Sequence, residues 1–213
     1  MTGFAELAAA TNFSFLRGAS HGEEFAMTAA GLGLSGLGIA DRNSLAGVVR
    51  AHLAAKELGL PFAVGCRLVF TCGAPDVLAW PSDRAAYGRL CRLLTLGNMR
   101  GAKGDCRIAL DDLSAWAEGM VLAIVAEDAA APAVEDAAAR LRGATAHPLR
   151  LAVSCGYGRA DRRRLAGRIA LARRLGLRPL ATALPLYHVH GRRPLQDVLT
   201  CIREHVTIDA AGR

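Results

Sequence analysis

The side chains best suited to chemistry are few and scattered. His188 and His190 form an HxH pair, a spacing that on a strand turns both imidazoles to one face and permits shared metal ligation. The Gly191-Arg192-Arg193-Pro194 run behind them instead favours an exposed loop leading into a helix. Asp41, followed by Arg42, closes a small-residue strand, and Arg67 follows Gly65-Cys66 near the end of another. His21 stands just ahead of a helix that begins Gly22-Glu23-Glu24, and His52 and His205 lie in helical patterns, none with an evident carboxylate partner. The first strand ends Glu6-Leu7-Ala8-Ala9-Ala10, and alanine can neither bind a metal nor move a proton.

Other chemistries find less support. There is no GxGxxG after a strand, no GxxxxGK[ST] phosphate loop and no GxSxG elbow. Ser154-Cys155-Gly156-Tyr157-Gly158 reads as a glycine-bearing strand end, open either to an anion or simply to a tight turn. Six cysteines without a CxxC pair argue against a zinc knuckle or thioredoxin-type site, and in a chain long enough to build its own core they are expected as thiols, mostly buried. Arg162-Arg163-Arg164, Arg168, Arg173 and Arg174 make a basic helix. On it Arg164 and Arg168 share a face, as do Arg163 and Arg174, an arrangement that suits either phosphate tracking or a solvated surface without aromatic side chains for base stacking.

The elements that must position these residues alternate between strands and helices. Strands are expected at Phe4–Ala10, Gly36–Ala40, Pro61–Phe70, Asp76–Trp80, Met120–Ala126, Leu149–Cys155 and Pro179–Ala183. Helices are expected at Gly22–Leu32, Leu45–Leu58, from an N-cap at Ser82 to Leu96, around Pro132–Arg142, and at Ala160–Leu175 and Pro194–Glu204. Continuous apolar strands between amphipathic helices imply an α/β fold with a parallel sheet, and with about seven such units a closed barrel and an open sheet both remain open. The 213 residues read as a single domain, 1–213.

Composition narrows the classes. Hydrophobic residues make up 52% and charged residues 21%, which excludes a disordered polar chain. No apolar run approaches the roughly 20 residues of a membrane span, and no charged-then-apolar leader opens the chain, so a cytoplasmic location without membrane contact is expected. The net charge is +7, carried almost wholly by arginine since only Lys56 and Lys103 are lysine. Arginine suits phosphate, but a GC-rich genome would produce the same bias, so basicity alone identifies no partner.

Two long runs carry a family resemblance: Phe4-Ala5-Glu6-Leu7 through Asn12-Phe13-Ser14-Phe15-Leu16-Arg17-Gly18-Ala19-Ser20-His21, and Ile39-Ala40-Asp41-Arg42-Asn43-Ser44-Leu45 through His52. With Asp83–Thr95, Lys103-Gly104-Asp105-Cys106 and Arg192–Glu204, they resemble the amino-terminal polymerase-and-histidinol-phosphatase (PHP) domain of bacterial C-family DNA polymerases, the error-prone branch above all. The resemblance implies a distorted (β/α)7 TIM-like barrel. It also implies a divalent metal cluster in active members, and here the ligand positions are depleted. The expected HxH after Glu6-Leu7 is Ala8 and Ala10, Asp41 survives but is followed by Arg42, Arg67 replaces a glutamate, and Leu184 and Leu186 stand in a late ligand motif.

A catalytically silent PHP domain is therefore expected, with no cofactor of its own, Arg42 or Arg67 pairing with Asp41 in place of the metal charge. The Mg2+ of the family's polymerase site would belong to regions expected beyond Arg213, so this chain alone is not expected to polymerise DNA. The implied partners are the remainder of a polymerase, DNA in that context, and mutagenesis accessory proteins, with translesion synthesis in damage-induced mutagenesis as the parent function. Two other readings stand beside it: a residual metal-dependent phosphoesterase or 3′–5′ exonuclease using Asp41, His188 and His190, and a DNA-binding module acting through Arg163, Arg164, Arg168 and Arg174.

Overall fold

A computed structural model describes residues 3–126, 130–155, 158 and 161–211. It divides into two compact units, Met1–Cys66 with Leu184–Arg213, and Arg67–Ala183.

The first unit opens with β1 (Ala5–Ala9), followed by α1 (Gly22–Gly31), β2 (Gly36–Arg42), α2 (Val48–Glu57) and β3 (Phe62–Leu68), whose last two residues enter the second unit. β1 and β2 pair in parallel, with a register shift between Glu6 and Ala9. Within that irregular stretch Glu6 Oε1 accepts the Ala8 N–H at 2.8 Å, so this N–H is engaged by a side chain. Small residues on the strands let the helices close in, so Ala9, Leu37 and Ile39 pack with Phe25, Ala26 and Ala29 of α1 and with Ala51 and Ala55 of α2. α2 begins at Val48, three residues later than expected, because the chain at Gly47 is held against the end of β2. Gly59, at φ +64°, ends that helix as its sequence position predicts.

The second unit contains β4 (Val77–Pro81), α3 (Arg84–Arg100), α4 (Leu110–Trp116), β5 (Met120–Val125), α5 (Ala131–Leu141), β6 (Arg150–Val153), α6 (Asp161–Arg174) and β7 (Arg178–Ala181). β5 pairs in parallel with β6, and β6 with β7, but β4 runs antiparallel to β5, which corrects the expectation of a wholly parallel sheet. Apolar strands are compatible with either direction, so strand composition did not reveal the reversal. Leu78, Leu122 and Ile124 have no exposed surface, and burying each contributes roughly 1.5–3 kcal/mol.

Helix boundaries follow local hydrogen bonding. The cap of α3 is Asp83, whose carboxylate accepts from Ala86 N at 2.7 Å, whereas the expected cap, Ser82, donates its hydroxyl to the Gly119 carbonyl. α3 also continues four residues past Leu96, and α4 is an element the sequence reading did not anticipate. Asp112 secures the start of α4 by accepting from Ala109 N at 2.8 Å and from Arg100 at 2.5 Å; the Arg100 hydrogen bond is the largest influence holding its carboxyl below the usual range.

The final helix, α7 (Arg193–Glu204), returns to the first unit and ends at His205 in the left-handed conformation. All six cysteines are free thiols, but only Cys66 and Cys201 are buried, fewer than expected, with Cys72 and Cys155 exposed. Among the described residues, no helix is long and apolar enough to cross a membrane.

Candidate functional site

The chain segment after β1 turns sharply, with Ser14 N bonding Thr11 O and both Arg17 N and Gly18 N bonding Ser14 O. That turn brings two hydroxyls over the end of β2, where Asp41 is completely buried. The Thr11 N–H donates to Asp41 Oδ1 at 2.7 Å, Thr11 Oγ1–H donates to Oδ2 at 2.7 Å, and Ser14 Oγ–H donates to Oδ1 at 2.6 Å. The hydroxyls are themselves fixed, since Thr11 Oγ1 accepts from Phe13 N at 3.1 Å and Ser14 Oγ accepts from Arg42 N at 3.0 Å. Burial pushes the Asp41 carboxyl above its ordinary value, and the Ser14 and Thr11 hydrogen bonds only partly offset it.

Asp41 is thus compensated by neutral donors, which corrects the expected pairing with Arg42 or Arg67. Arg67, on β3, directs its Nε to Asp76 Oδ2 at 2.7 Å. Arg42 follows Asp41 at the end of β2, its backbone N–H engaged by Ser14. Ala8 and Ala10 lie at the end of β1, where Ala10 N donates to the Pro185 carbonyl at 3.0 Å. Leu186 is brought to the same place, its carbonyl accepting from Ala19 N at 2.8 Å, and Leu184 precedes it with φ +48°. Backbone hydrogen bonds thus bring 185 and 186 beside the segment that follows β1 within the first unit, while positions 8, 10, 184 and 186 carry only methyl or isobutyl side chains. Thr11, Ser14 and Gly47 complete this site and were missed; the one signal was a Thr and Ser spaced three apart directly after a strand end.

The two histidines separate. His188 Nδ1 lies 2.8 Å from Ser20 Oγ, its backbone N–H donates to the same hydroxyl at 3.1 Å, and its ring meets Phe25 edge-on. It is more enclosed than the expected exposed loop. Glu24 Oε2 stands 3.8 Å from the same Nδ1, while Glu24 also accepts from the His21 N–H and pairs with Arg192. Burial raises the Glu24 carboxyl, but His21, Arg192 and His188 together outweigh it and hold it low. His190 is exposed at the start of a short 3-10 turn, so the HxH pair does not converge on one point.

The donor set does not fit a divalent cluster. Such a cluster needs several anionic or imidazole ligands, and the positions offer Ala8, Ala10, Arg42, Arg67, Leu184 and Leu186 beside one carboxylate already engaged by three donors. Among the described residues, no group of three or more His, Cys, Asp and Glu side chains could hold a metal ion.

In the second unit, Arg164, Arg168 and Arg174 of α6 line one groove, whereas Arg163 does not, which divides the expected pair Arg163 and Arg174. Of the glycine-bearing strand end, Gly156 and Tyr157 lie outside the described residues.

The chain is 49% identical over 209 residues to an error-prone DNA polymerase of Caulobacter vibrioides, and 50% identical over 212 residues to error-prone DNA polymerase 1 of Rhizobium meliloti. Each alignment covers 98% of this chain but 19% of the relative, so the chain spans about one fifth of the length of these curated relatives. A solved structure of a putative metal-dependent phosphoesterase from Bifidobacterium adolescentis matches with a TM-score of 0.63 at 16% identity, covering 90% of both chains. An amidohydrolase from Chromobacterium violaceum with sulfate bound matches with a TM-score of 0.65 at 17% identity, covering 86% of this chain and 87% of that one. At such identities these likenesses bear on fold alone, and the fold is α/β of the expected PHP type. The PHP domain model matches residues 6–170, and the chain belongs to that family.

Proposed function

We propose that this chain is a PHP domain that has ceased to hydrolyse phosphoesters and serves as a structural and interaction module of an error-prone DNA polymerase. The observation that carries the reading is Asp41, a buried carboxylate whose oxygens are engaged by Thr11 and Ser14 while the neighbouring ligand positions are Ala8 and Ala10. A metal ion entering there would displace three hydrogen bonds and find no second anionic ligand at those positions. The relatives' names supply the parent activity: DNA synthesis of the error-prone kind, which we assign to translesion repair of damaged DNA in the cytoplasm. Its partners are the remainder of the polymerase, DNA and mutagenesis accessory proteins.

Purified chain incubated with Mn2+, Mg2+ or Zn2+ is expected to show neither 3′–5′ exonuclease nor phosphatase turnover above a blank. Metal-dependent turnover, or two or more metal ions per chain in elemental analysis of protein prepared without chelator, would overturn the reading in favour of a residual phosphoesterase centred on Asp41, His188 and His190. The polymerase assignment is tested separately by the genomic DNA beyond the Arg213 codon, where an in-frame continuation carrying polymerase carboxylates is expected.

A further inference from the structure

The groove along α6 is a site of a different kind, and it lies entirely within the second unit. It has a volume of about 470 Å³ and is lined by Arg164, Gly167, Arg168, Leu171 and Arg174 of α6 together with Ala131 of α5. The α6 positions 164, 167, 168, 171 and 174 recur at the spacing of one helical face. We propose that this groove binds the phosphodiester backbone of a nucleic acid without reading its bases, a role that stands whether or not the domain hydrolyses phosphoesters.

The charges are arranged for a chain of anions. Arg164 and Arg174 are separated by ten residues of helix, about 15 Å at 1.5 Å per residue, which is longer than one phosphate group needs. Two of the arginines are held by solvent-facing ion pairs: Arg164 lies 3.5 Å from Asp161, and Arg174 lies 2.5 Å from Glu135 with both side chains well exposed. Planar guanidinium forks suit phosphate oxygens in pairs.

The floor supports the same occupant. Gly167 sits in the middle of a helix, where glycine costs about 1 kcal/mol relative to alanine, yet a Cβ there would meet no atom of the described residues within 4 Å. Among those residues, close packing does not require the glycine, and its missing side chain widens the groove. The described lining contains no aromatic side chain, so base stacking has no platform and sequence preference has no evident source.

The test is fluorescence anisotropy of a fluorescein-labelled mixed-sequence single-stranded 20-mer with the full chain, titrated between 50 and 200 mM NaCl. Three phosphate contacts predict a log–log salt slope near −2, at roughly 0.7 per contact on a single strand. Arg164→Gln, Arg168→Gln and Arg174→Gln should each weaken binding roughly three- to tenfold and reduce the slope by about 0.7. Gly167→Leu removes no charge and favours the helix, so a tenfold or greater loss from it reports occupation of the groove itself. Arg50→Gln on α2 removes an exposed charge elsewhere and should leave affinity within twofold.

No salt-dependent binding at 50 mM NaCl would overturn the proposal, as would groove variants that all stay within twofold of the parent or an Arg50 variant that loses as much as they do. A polyglutamate peptide that displaces the oligonucleotide at lower concentration would overturn it in favour of an acidic protein segment. Displacement by inorganic phosphate at matched ionic strength would reduce the groove to a single-anion site. Thermal melts that match the parent confirm that each variant is folded.

Discussion

Gly47 and Asp41 exclude a side chain between them. A Cβ on Gly47 would lie 2.3 Å from Asp41 Oδ2 and 2.5 Å from Thr11 Oγ1, far inside van der Waals contact. The backbone there, at φ −75°, is open to any residue, so glycine is required for space alone. Gly47→Ala is expected to destabilise by about 1–3 kcal/mol in urea unfolding, as overpacking does. In an Asp41→Ala background the same substitution should cost at least about 1 kcal/mol less, because one of the two clashing groups is gone. Additive losses would show that Gly47 is constrained by something other than Asp41.

Asp41 also predicts a pH dependence with a definite sign. Its folded-state carboxyl lies above the ordinary value of 3.8, so in the window above 3.8 the native chain holds more protons than the unfolded one. Its contribution therefore falls as pH rises through the raised value and is recovered on acidification. Asp41→Asn lacks this titration, so unfolding free energies of parent minus variant should decline from about pH 4 toward neutrality. A difference that is flat or rises with pH refutes the assignment.

The Glu24–Arg192 pair predicts the opposite slope. Glu24 is held low, so its stabilising contribution is present above its ordinary value of 4.5 and is lost as pH falls through the lowered one. Arg192→Gln should raise the Glu24 carboxyl, readable by carbon-detected NMR titration. The stability loss near neutral pH should be only about 0.2–1 kcal/mol because both side chains are partly solvated. An unmoved Glu24 titration would show that the His21 N–H and His188 suffice.

Arg67 offers a test of reversion. Arg67→Glu restores the residue type that the family resemblance places there, but sets a carboxylate against Asp76, the present partner at 2.7 Å. We expect a loss of roughly 1 kcal/mol, relieved in part by Asp76→Lys in the same chain. Mn2+ should not raise the melting temperature of Arg67→Glu, since Ala8 and Ala10 still supply no ligand. A clear Mn2+-dependent rise would show that one restored carboxylate is enough.

The parts of this site legible in the amino-acid sequence were those fixed by local pattern. Ala8, Ala10 and Asp41 lie at strand ends because apolar runs give way to polar residues there, Thr11-Asn12 after the first strand and Arg42-Asn43-Ser44 at the second. What compensates Asp41 was not legible, since the hydroxyls arrive from 27 and 30 residues earlier through a turn with no strong signature. Charge complementarity pointed toward arginine, but Arg67 had a carboxylate nine residues along its own chain in Asp76. The antiparallel β4–β5 pair escaped for a related reason: hydrophobic patterning reports burial on a sheet face and carries no direction.

Cys66 gives this arrangement an internal reporter. The thiol is fully enclosed at the end of β3, and its Sγ–H donates to the Asp41 backbone carbonyl at 3.3 Å. An alkylating reagent can reach it only when that strand end opens, whereas Cys72 and Cys155 react from the surface. With the faster thiols blocked first and the other buried thiol, Cys201, replaced by serine, the labelling rate of Cys66 becomes a clock for how often the surroundings of Asp41 admit solvent.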